Sequence, residues 1–225
     1  MCFSATASFG AGIILSAISI ATIKKVDKPE QIYFASVPLL FCVQQFAEGL
    51  IWFSLTSSTY YPLQELATYI FLFLAQVVWP LLIPFSLLML EKEEKHKIIL
   101  KIILGIGMLV SFYLAYCLIS YDVEAKIIGA HISYLQNYPI RFGNYGDLLY
   151  IIATIGPTLF SSIRRMWILG VIIFISYLIT AFFYADYVIS VWCFFASIIS
   201  IMVYFLIKQM DGTNVNSNLK LNING

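Results

Sequence analysis

An all-α membrane protein, built as a polytopic bundle of seven transmembrane helices, is the fold class that this sequence predicts. The 225 residues are 61% hydrophobic and only 11% charged, whereas soluble domains are roughly 45–50% apolar and about 25% charged. Too few polar side chains are present to cover a globule in water. Long apolar stretches recur along the chain, and the basic residues between them are concentrated in every second gap. Both patterns are typical of multi-pass membrane proteins.

Seven stretches are apolar enough to cross a bilayer, which requires about 20 residues of helix. They cover roughly residues 8–23, 32–55, 66–90, 98–119, 147–163, 166–185 and 187–207. We place one membrane domain at residues 1–208. The tail, residues 209–225, is rich in Asn and has no apolar face that could pack, so it is expected to be disordered in the cytoplasm.

The basic residues predict the orientation of the helices. The gaps after the first, third and fifth stretches, together with the tail, contain eleven of the thirteen Lys and Arg residues. The other two are Lys126 and Arg141. Because loops rich in Lys and Arg stay in the cytoplasm, we expect the N-terminus outside and the C-terminus in the cytoplasm of a cell-membrane protein. The basic residues flank helices and form no patch, so the bilayer is the expected partner and nucleic acid is not.

Small residues and prolines bear on how the helices pack. A four-residue repeat of small side chains in the first stretch would let a neighbouring helix approach closely. It comprises Ser4, Ser8, Gly12 and Ser16. The third and fifth stretches contain prolines, at Pro80, Pro84 and Pro157. Each removes a helical hydrogen bond and favours a kink, which can open a cavity or be plain architecture.

The longest outer gap, residues 120–146, is more than a polar linker. Ile132, Tyr134 and Tyr138 alternate with Ser133 and Asn137, which predicts a short strand or hairpin. Tyrosine is frequent in this gap, and its amphipathic ring suits the headgroup zone. We expect the loop to pack over the outer mouth of the bundle as a lid. A disordered loop is the alternative.

Glu48 is the acidic residue that lies well inside an apolar stretch. An ionisable group is costly in hydrocarbon and therefore marks a functional site by default. Gln44 and Gln45 precede Glu48 by four and three residues and share its helical face. Gln76 of the third stretch is expected at a similar depth. These residues predict a polar ligand-binding site; a Glu48 that only holds helices together is the alternative.

Further residues are candidates for the same outer site. His131, in the outer loop, can ligate a metal ion or carry a proton. Cys2, after removal of the initiator methionine, would offer an amine and a thiol as metal ligands or as a nucleophile. Asp186 and Trp192 lie at the outer end of the last stretches. Asp147 is expected to cap the helix of the fifth stretch.

No common enzyme signature is present, because the sequence lacks HExxH, GxSxG and P-loop patterns. Cys2, Cys117 and Cys193 all belong to the outer half, where a disulfide can form, but no CxxC spacing supports one. His96 and the acidic residues near it, Glu91 among them, are expected to form a solvated cytoplasmic loop.

The chain resembles a family of uncharacterised multi-pass proteins, the DUF6629 family. The resemblance begins with Met1-Cys2-Phe3-Ser4-Ala5-Thr6-Ala7-Ser8-Phe9 and continues through Pro38-Leu39-Leu40-Phe41 to Gln45 and Glu48, Gly129-Ala130-His131-Ile132-Ser133-Tyr134, and Val191-Trp192-Cys193-Phe194-Phe195-Ala196. It implies no activity, but it gives weight to the polar, Cys and Trp residues within these segments. Gln44 stands where a histidine is expected in many relatives, which weakens a His-dependent metal site at that position.

We therefore expect an outward-facing polar pocket, roofed by the loop that contains His131, which binds a small ligand or a metal ion. Glu48 would supply charge and His131 ligation or proton exchange, with Cys2 as a further metal ligand. A membrane scaffold, a transporter or channel, and a membrane-embedded enzyme acting on lipid are the alternatives. At the level of sequence these alternatives stay open, including whether the protein is an enzyme.

Overall fold

The computed structural model describes residues 4–56, 61–138, 143–184, 187–195 and 198–210. Within these ranges the chain is mostly helical, and a single two-stranded sheet interrupts the helices. The elements are α1 (Ala5–Ile23), a 3-10 turn (Pro29–Gln31), α2 (Ile32–Ala35), α3 (Val37–Leu55), α4 (Tyr61–Leu72), a π-helical turn (Phe73–Val78), α5 (Trp79–Leu90), α6 (Glu94–Ser120), β1 (Val123–Ile128), β2 (His131–Gln136), α7 (Gly143–Phe160), α8 (Met166–Phe183), α9 (Val188–Phe194) and α10 (Ile198–Met210).

Five helical runs are long and apolar enough to cross a membrane. They are Ala5–Ile23, Pro29–Leu55, Leu63–Leu90, Glu94–Ser120 and Met166–Phe183. The all-α prediction is confirmed, and each run begins and ends within about four residues of an expected stretch. The fifth and seventh expected stretches correspond to shorter apolar helices, Gly146–Phe160 within α7 and Ile198–Met210, which follows α9.

The outer surface of the bundle is apolar, as a bilayer requires. On α6 alone, Leu109 is 74% exposed, Phe112 73% and Ile119 85%. Soluble monomers rarely expose contiguous apolar patches of this kind. Ile98 and Ile102 near the start of α6 are also exposed, so apolar side chains are exposed along most of this helix.

The end of the bundle that carries the β-hairpin is opposite the end that carries most basic residues. Helices α3, α6 and α8 end beside the hairpin, and α7 and α9 begin there. We call this the hairpin end. At the opposite, basic end, α1, α5 and α7 are followed by connections that contain Lys or Arg.

Helix α1 packs along α3 through small side chains, as the four-residue repeat predicts. A Cβ atom added at Gly12 would lie 3.1 Å from the ring of Phe46. One turn further on, Ser16 Oγ lies 3.1 Å from Cys42 Sγ. The small residues therefore serve close helix packing.

The third span changes its winding between α4 and α5. Phe73–Val78 form a π-helical turn immediately before Trp79 and Pro80, and Pro80 cannot donate a main-chain hydrogen bond. Hydroxyl groups from neighbouring helices compensate, because Ser111 of α6 and Tyr150 of α7 donate to main-chain carbonyls of this turn. Irregular helical turns of this kind are frequent at functional sites.

Strands β1 and β2 form an antiparallel hairpin, which confirms the strand prediction for the outer loop. Val123 pairs with Gln136 at its open end, and Gly129 in the turn has a φ of 63°, a conformation that favours glycine. Ala125 and Ile132 are buried in a cluster with residues of α3 and α4. One face of the hairpin therefore packs against the bundle.

Glu91 at the basic end is buried, so the expectation of a solvated loop is wrong for this residue. It is 4% exposed, and its carboxylate accepts hydrogen bonds from the hydroxyl and the N–H of Ser162 in the α7–α8 connection. The N–H groups of Lys92 and Glu93 also donate to it. Burial raises the pKa of Glu91, but these hydrogen bonds outweigh burial and lower it to about 2. The ionised side chain therefore links the α5–α6 and α7–α8 connections through hydrogen bonds.

Candidate ligand-binding cavity

A large cavity lies among α3, α5 to α10 and the hairpin. Its volume is about 1370 Å³, which exceeds the roughly 300–1,000 Å³ of most ligand sites. Leu109, near the midpoint of α6, lines the cavity and is highly exposed. The cavity lining therefore includes a residue of the exposed apolar surface of α6.

The half of the cavity near the hairpin end contains hydrogen-bonding groups among apolar residues such as Ile132 and Leu135. Gln76, on the π-helical turn, accepts a hydrogen bond from the hydroxyl of Tyr138 at 3.0 Å. Ser133 and Asn137 from the hairpin segment also line this half. Burial raises the pKa of Tyr138, so its phenol stays protonated at neutral pH and donates to Gln76.

The half of the cavity near the basic end is mainly apolar; Thr154 and Thr158 of α7 also line it, but their hydroxyls donate to carbonyls of their own helix. Its apolar side chains come from α2, α3, α8 and α10, and all are almost fully buried in the larger of the two apolar clusters. They include Phe34, Val37, Leu169, Ile173, Ile199 and Val203. The lining therefore changes along the bundle axis from hydrogen-bonding groups to hydrocarbon.

Trp192 of α9 stands in the cavity wall between two tyrosines. Its ring centroid is 5.4 Å from that of Tyr177 and 6.3 Å from that of Tyr150, with an interplanar angle of 63° in each case. Its indole N–H donates to Ser176 Oγ at 3.0 Å. The hydrogen bond fixes the orientation of the indole, and all three rings line the cavity.

Glu48 is fully buried and is connected to the cavity through Ser190 of α9. The hydroxyl of Ser190 donates to Glu48 Oε1 at 2.6 Å, and the amide of Gln45 lies 3.5 Å from Glu48 Oε2. Ser190 lines the cavity, whereas Glu48 stands behind it. Gln45 thus contacts Glu48, whose helical face it shares, and Ser190 is a partner that sequence reasoning missed.

Gln44 orients a second aromatic residue of the wall. Its side-chain oxygen accepts a hydrogen bond from the indole N–H of Trp79 at 3.1 Å. Trp79 stacks on Phe41, with ring centroids 4.1 Å apart. Both rings line the cavity, so Gln44 acts on it through Trp79.

His131, at the start of β2, packs against aromatic rings of the α8–α9 region. It stacks on Tyr187 at 4.7 Å and meets Tyr184 edge to face at 5.3 Å. Burial lowers the pKa of His131, which favours a neutral ring at pH 7. Tyr187 lies three residues before Ser190, so the structure brings His131 and Glu48 to adjacent turns of one helical segment.

Other candidate residues fall outside this network. Cys2 and Asp186 lie outside the described residues, as does the side chain of Cys193. Cys117 is a buried free thiol. In the part of the chain that the structure describes, no three His, Cys, Asp or Glu side chains form a group that could hold a metal ion.

Asp147 has a different position from the one expected. Helix α7 begins at Gly143, four residues earlier than the predicted start, so Asp147 lies inside the helix and the capping prediction is wrong. Its side chain lines the cavity, on the same face as Tyr150 one turn further on. The spacing of Asp147, Tyr150, Ile151 and Thr154 along α7 was the signal that could have identified this wall.

Comparison with known proteins identifies a family but no activity. A protein-family model with the description "Family of unknown function (DUF6629)" matches residues 1–217. No curated protein and no solved structure matches the chain.

Proposed function

The chain belongs to the DUF6629 family, and we propose that it is a seven-span membrane protein that binds a small amphipathic molecule in the cavity between its helices. The single observation that carries this proposal is the change in the cavity lining, from hydrogen-bonding groups among apolar residues at the hairpin end to mainly apolar residues toward the basic end. A ligand with a polar head and a hydrocarbon tail would match both halves.

In this proposal the hairpin end faces outward, so the polar half of the cavity is on the outer side. The distribution of basic residues supports the orientation, because eleven of the thirteen lie in the gaps and tail at the other end. Helix α7 and the α9–α10 segment supply the fifth and seventh spans. The apolar helices Gly146–Phe160 and Ile198–Met210 are each shorter than a typical span, which a locally thinner bilayer can accommodate.

The exposure of Leu109, which also lines the cavity, supports a ligand that partitions into the membrane. A molecule dissolved in the bilayer could enter at the middle of α6 without passing through water. The polar head would then meet Gln76 and Tyr138, while the tail would pack against the apolar residues of the basic half. Burying hydrocarbon against these residues contributes roughly 25 cal/mol per Å².

Glu48 and His131 have supporting roles in this proposal. Glu48 holds Ser190 in the wall through a 2.6 Å hydrogen bond, and His131 supports Tyr187 by stacking. Replacing either residue would alter the wall, not remove a group that contacts the ligand. A smaller loss of affinity is therefore expected than for residues that line the cavity.

A pair of double variants tests the proposal. Ile151→Trp with Ile173→Trp places two large rings in the cavity, whereas Leu148→Trp with Ile175→Trp places them on positions that are 51% and 50% exposed. Native mass spectrometry of the protein released from membranes is expected to detect a bound amphiphile in wild type and in the exposed pair. The cavity-filling pair should lose it. Equal occupancy in both pairs would contradict the proposal.

The second candidate ligand is a metal ion bound by Cys2, Glu48 and His131. The observation that favours it is the approach of Glu48 and His131 to the same α9 segment. Elemental analysis of purified protein tests it: a metal content near one ion per chain that falls in both Glu48→Gln and His131→Ala would support the site. A metal content that is unchanged in both variants would contradict it.

A further inference from the structure

The polar half of the cavity has an unusual combination of side chains. Seven aromatic residues contribute to it: Tyr113, Tyr134, Tyr138, Tyr150, Tyr177, Tyr187 and Trp192. Asp147 is the charged residue among the described lining residues, which include no Lys, Arg or His. Within the described lining, aromatic rings together with a carboxylate are attractive to cations, because the faces of aromatic rings carry negative potential.

Three of these rings, Tyr150, Tyr177 and Trp192, adjoin one another in the cavity wall, and we call them the aromatic box. Tyr150 and Tyr177 are each inclined at 63° to the indole of Trp192, so the rings are arranged like adjoining walls, not as a parallel stack. Their centroids are 5.4 and 6.3 Å from the indole centroid. A cation in the cavity that lies against this wall can come within about 6 Å of a ring face, the range in which cation–π attraction is significant.

The indole of the box is held in place by hydrogen bonds, and Asp147 lies near Tyr150 on α7. The hydrogen bond from Trp192 to Ser176, and from Ser176 to the carbonyl of Ile173 at 2.7 Å, holds the indole in place. Asp147 precedes Tyr150 by one turn of α7 and lines the same cavity. Less side-chain freedom is therefore lost when a ligand binds.

From this arrangement we infer that the polar head of the ligand is an organic ammonium group, held by Asp147, Tyr150, Tyr177 and Trp192. This inference rests on the proposed function and names the chemical class of its ligand. The ammonium can belong to a lipid headgroup or to a free organic amine, since both present the same charged group to the box.

Two probes of nearly equal shape test the inference. Phenyltrimethylammonium and tert-butylbenzene differ by a quaternary nitrogen in place of a carbon, so their comparison isolates the charge. Binding of each radiolabelled probe is measured by equilibrium dialysis against the full chain in phosphatidylglycerol nanodiscs, whose lipid carries no ammonium. Empty nanodiscs measure partition into the lipid. The wild-type protein is expected to bind the cation at least about tenfold more tightly than the neutral probe.

Variants assign the preference to named residues. Asp147→Asn and Trp192→Phe should each weaken binding of the cation by about fivefold to tenfold and change binding of tert-butylbenzene by less than about twofold. Asp147→Glu should retain most of the preference. Asp122→Asn is the matched control, because Asp122 is an exposed acidic residue of the same end outside the cavity lining. It should leave both affinities unchanged.

The outcomes distinguish a failure of the ammonium assignment from a failure of the amphipathic cavity. Equal binding of both probes, abolished by the cavity-filling pair, overturns the ammonium assignment and leaves the amphipathic cavity in place. Absence of binding of either probe above empty nanodiscs overturns both. If the cation binds as expected, displacement by lysophosphatidylcholine at lower concentration than by choline assigns the headgroup to a lipid, and the reverse order assigns a free amine.

Discussion

Gly107 of α6 lies directly against the main chain of α5. A Cβ atom added at Gly107 would be 2.0 Å from the carbonyl oxygen of Pro80 and 3.0 Å from its carbonyl carbon. Pro84 has no N–H, so the carbonyl of Pro80 lacks its usual helical donor. Glycine at position 107 leaves the space for this carbonyl to approach α6. We therefore predict that Gly107→Ala destabilises the protein.

The size of the effect follows from the geometry. A carbon–oxygen contact needs about 3.3 Å, so the two helices would have to separate by roughly 1.3 Å. The obstructing atom is main chain and cannot move by a change of rotamer. Such overpacking costs up to about 3 kcal/mol, and the higher helix propensity of alanine returns about 1 kcal/mol. The net loss in the free energy of unfolding is then about 2 kcal/mol.

Gly105 provides the matched control in the same helix. No atom lies within 4 Å of a Cβ added there, so Gly105→Ala should gain up to about 1 kcal/mol from propensity alone. Thermal unfolding in one detergent should give a melting temperature about 4–8 °C below wild type for Gly107→Ala. It should be at or above wild type for Gly105→Ala. A Gly107→Ala protein as stable as wild type would refute the packing argument.

Three further variants test the two buried carboxylates. Glu48→Ala removes the hydrogen bonds with Ser190 and Gln45 and leaves a void, so the free energy of unfolding is expected to fall by about 3 kcal/mol. Glu48→Gln keeps an acceptor for Ser190, so the free energy of unfolding should fall by only about 1 kcal/mol. Glu91 has a pKa of about 2 instead of 4.5, so its stabilisation is complete above about pH 5 and is lost as the pH falls from about 4.5 towards 2. The free energy of unfolding should fall by about 2 kcal/mol after allowance for solvent screening. Between pH 5 and pH 3, the melting temperature of Glu91→Gln should therefore decrease less than that of wild type.

Hydropathy could predict most of the helical fold because every span must satisfy its own main chain in hydrocarbon. That requirement acts on each stretch separately and needs no knowledge of its neighbours. The expected start at residue 98 and the observed start of α6 at Glu94 differ because a helix continues beyond the apolar part into water. The hairpin could also be predicted, since its alternation is local.

The cavity could not be predicted in the same way, because it depends on which faces of different helices meet. Asp147 shows the difficulty: placing the start of the helix four residues too late turned a wall residue into a cap. Glu91 shows a second difficulty. Its neighbours in the sequence are charged, but it is buried against Ser162, which is 71 residues further along the chain. Neither contact leaves a periodic pattern in the sequence.

The arrangement of Glu48 explains how a carboxyl group can be kept inside the bundle without lining the cavity itself. A buried polar group is costly unless it is hydrogen-bonded. Here Ser190 donates a short hydrogen bond to Glu48, and Ser190 itself lines the cavity. The same principle applies to Gln44, which holds Trp79, and to Ser176, which holds Trp192. In each case a polar side chain fixes a neighbour that forms the wall. Such supports are what a site needs to present aromatic faces rigidly, because rings that are free to rotate would lose entropy when they enclose a ligand.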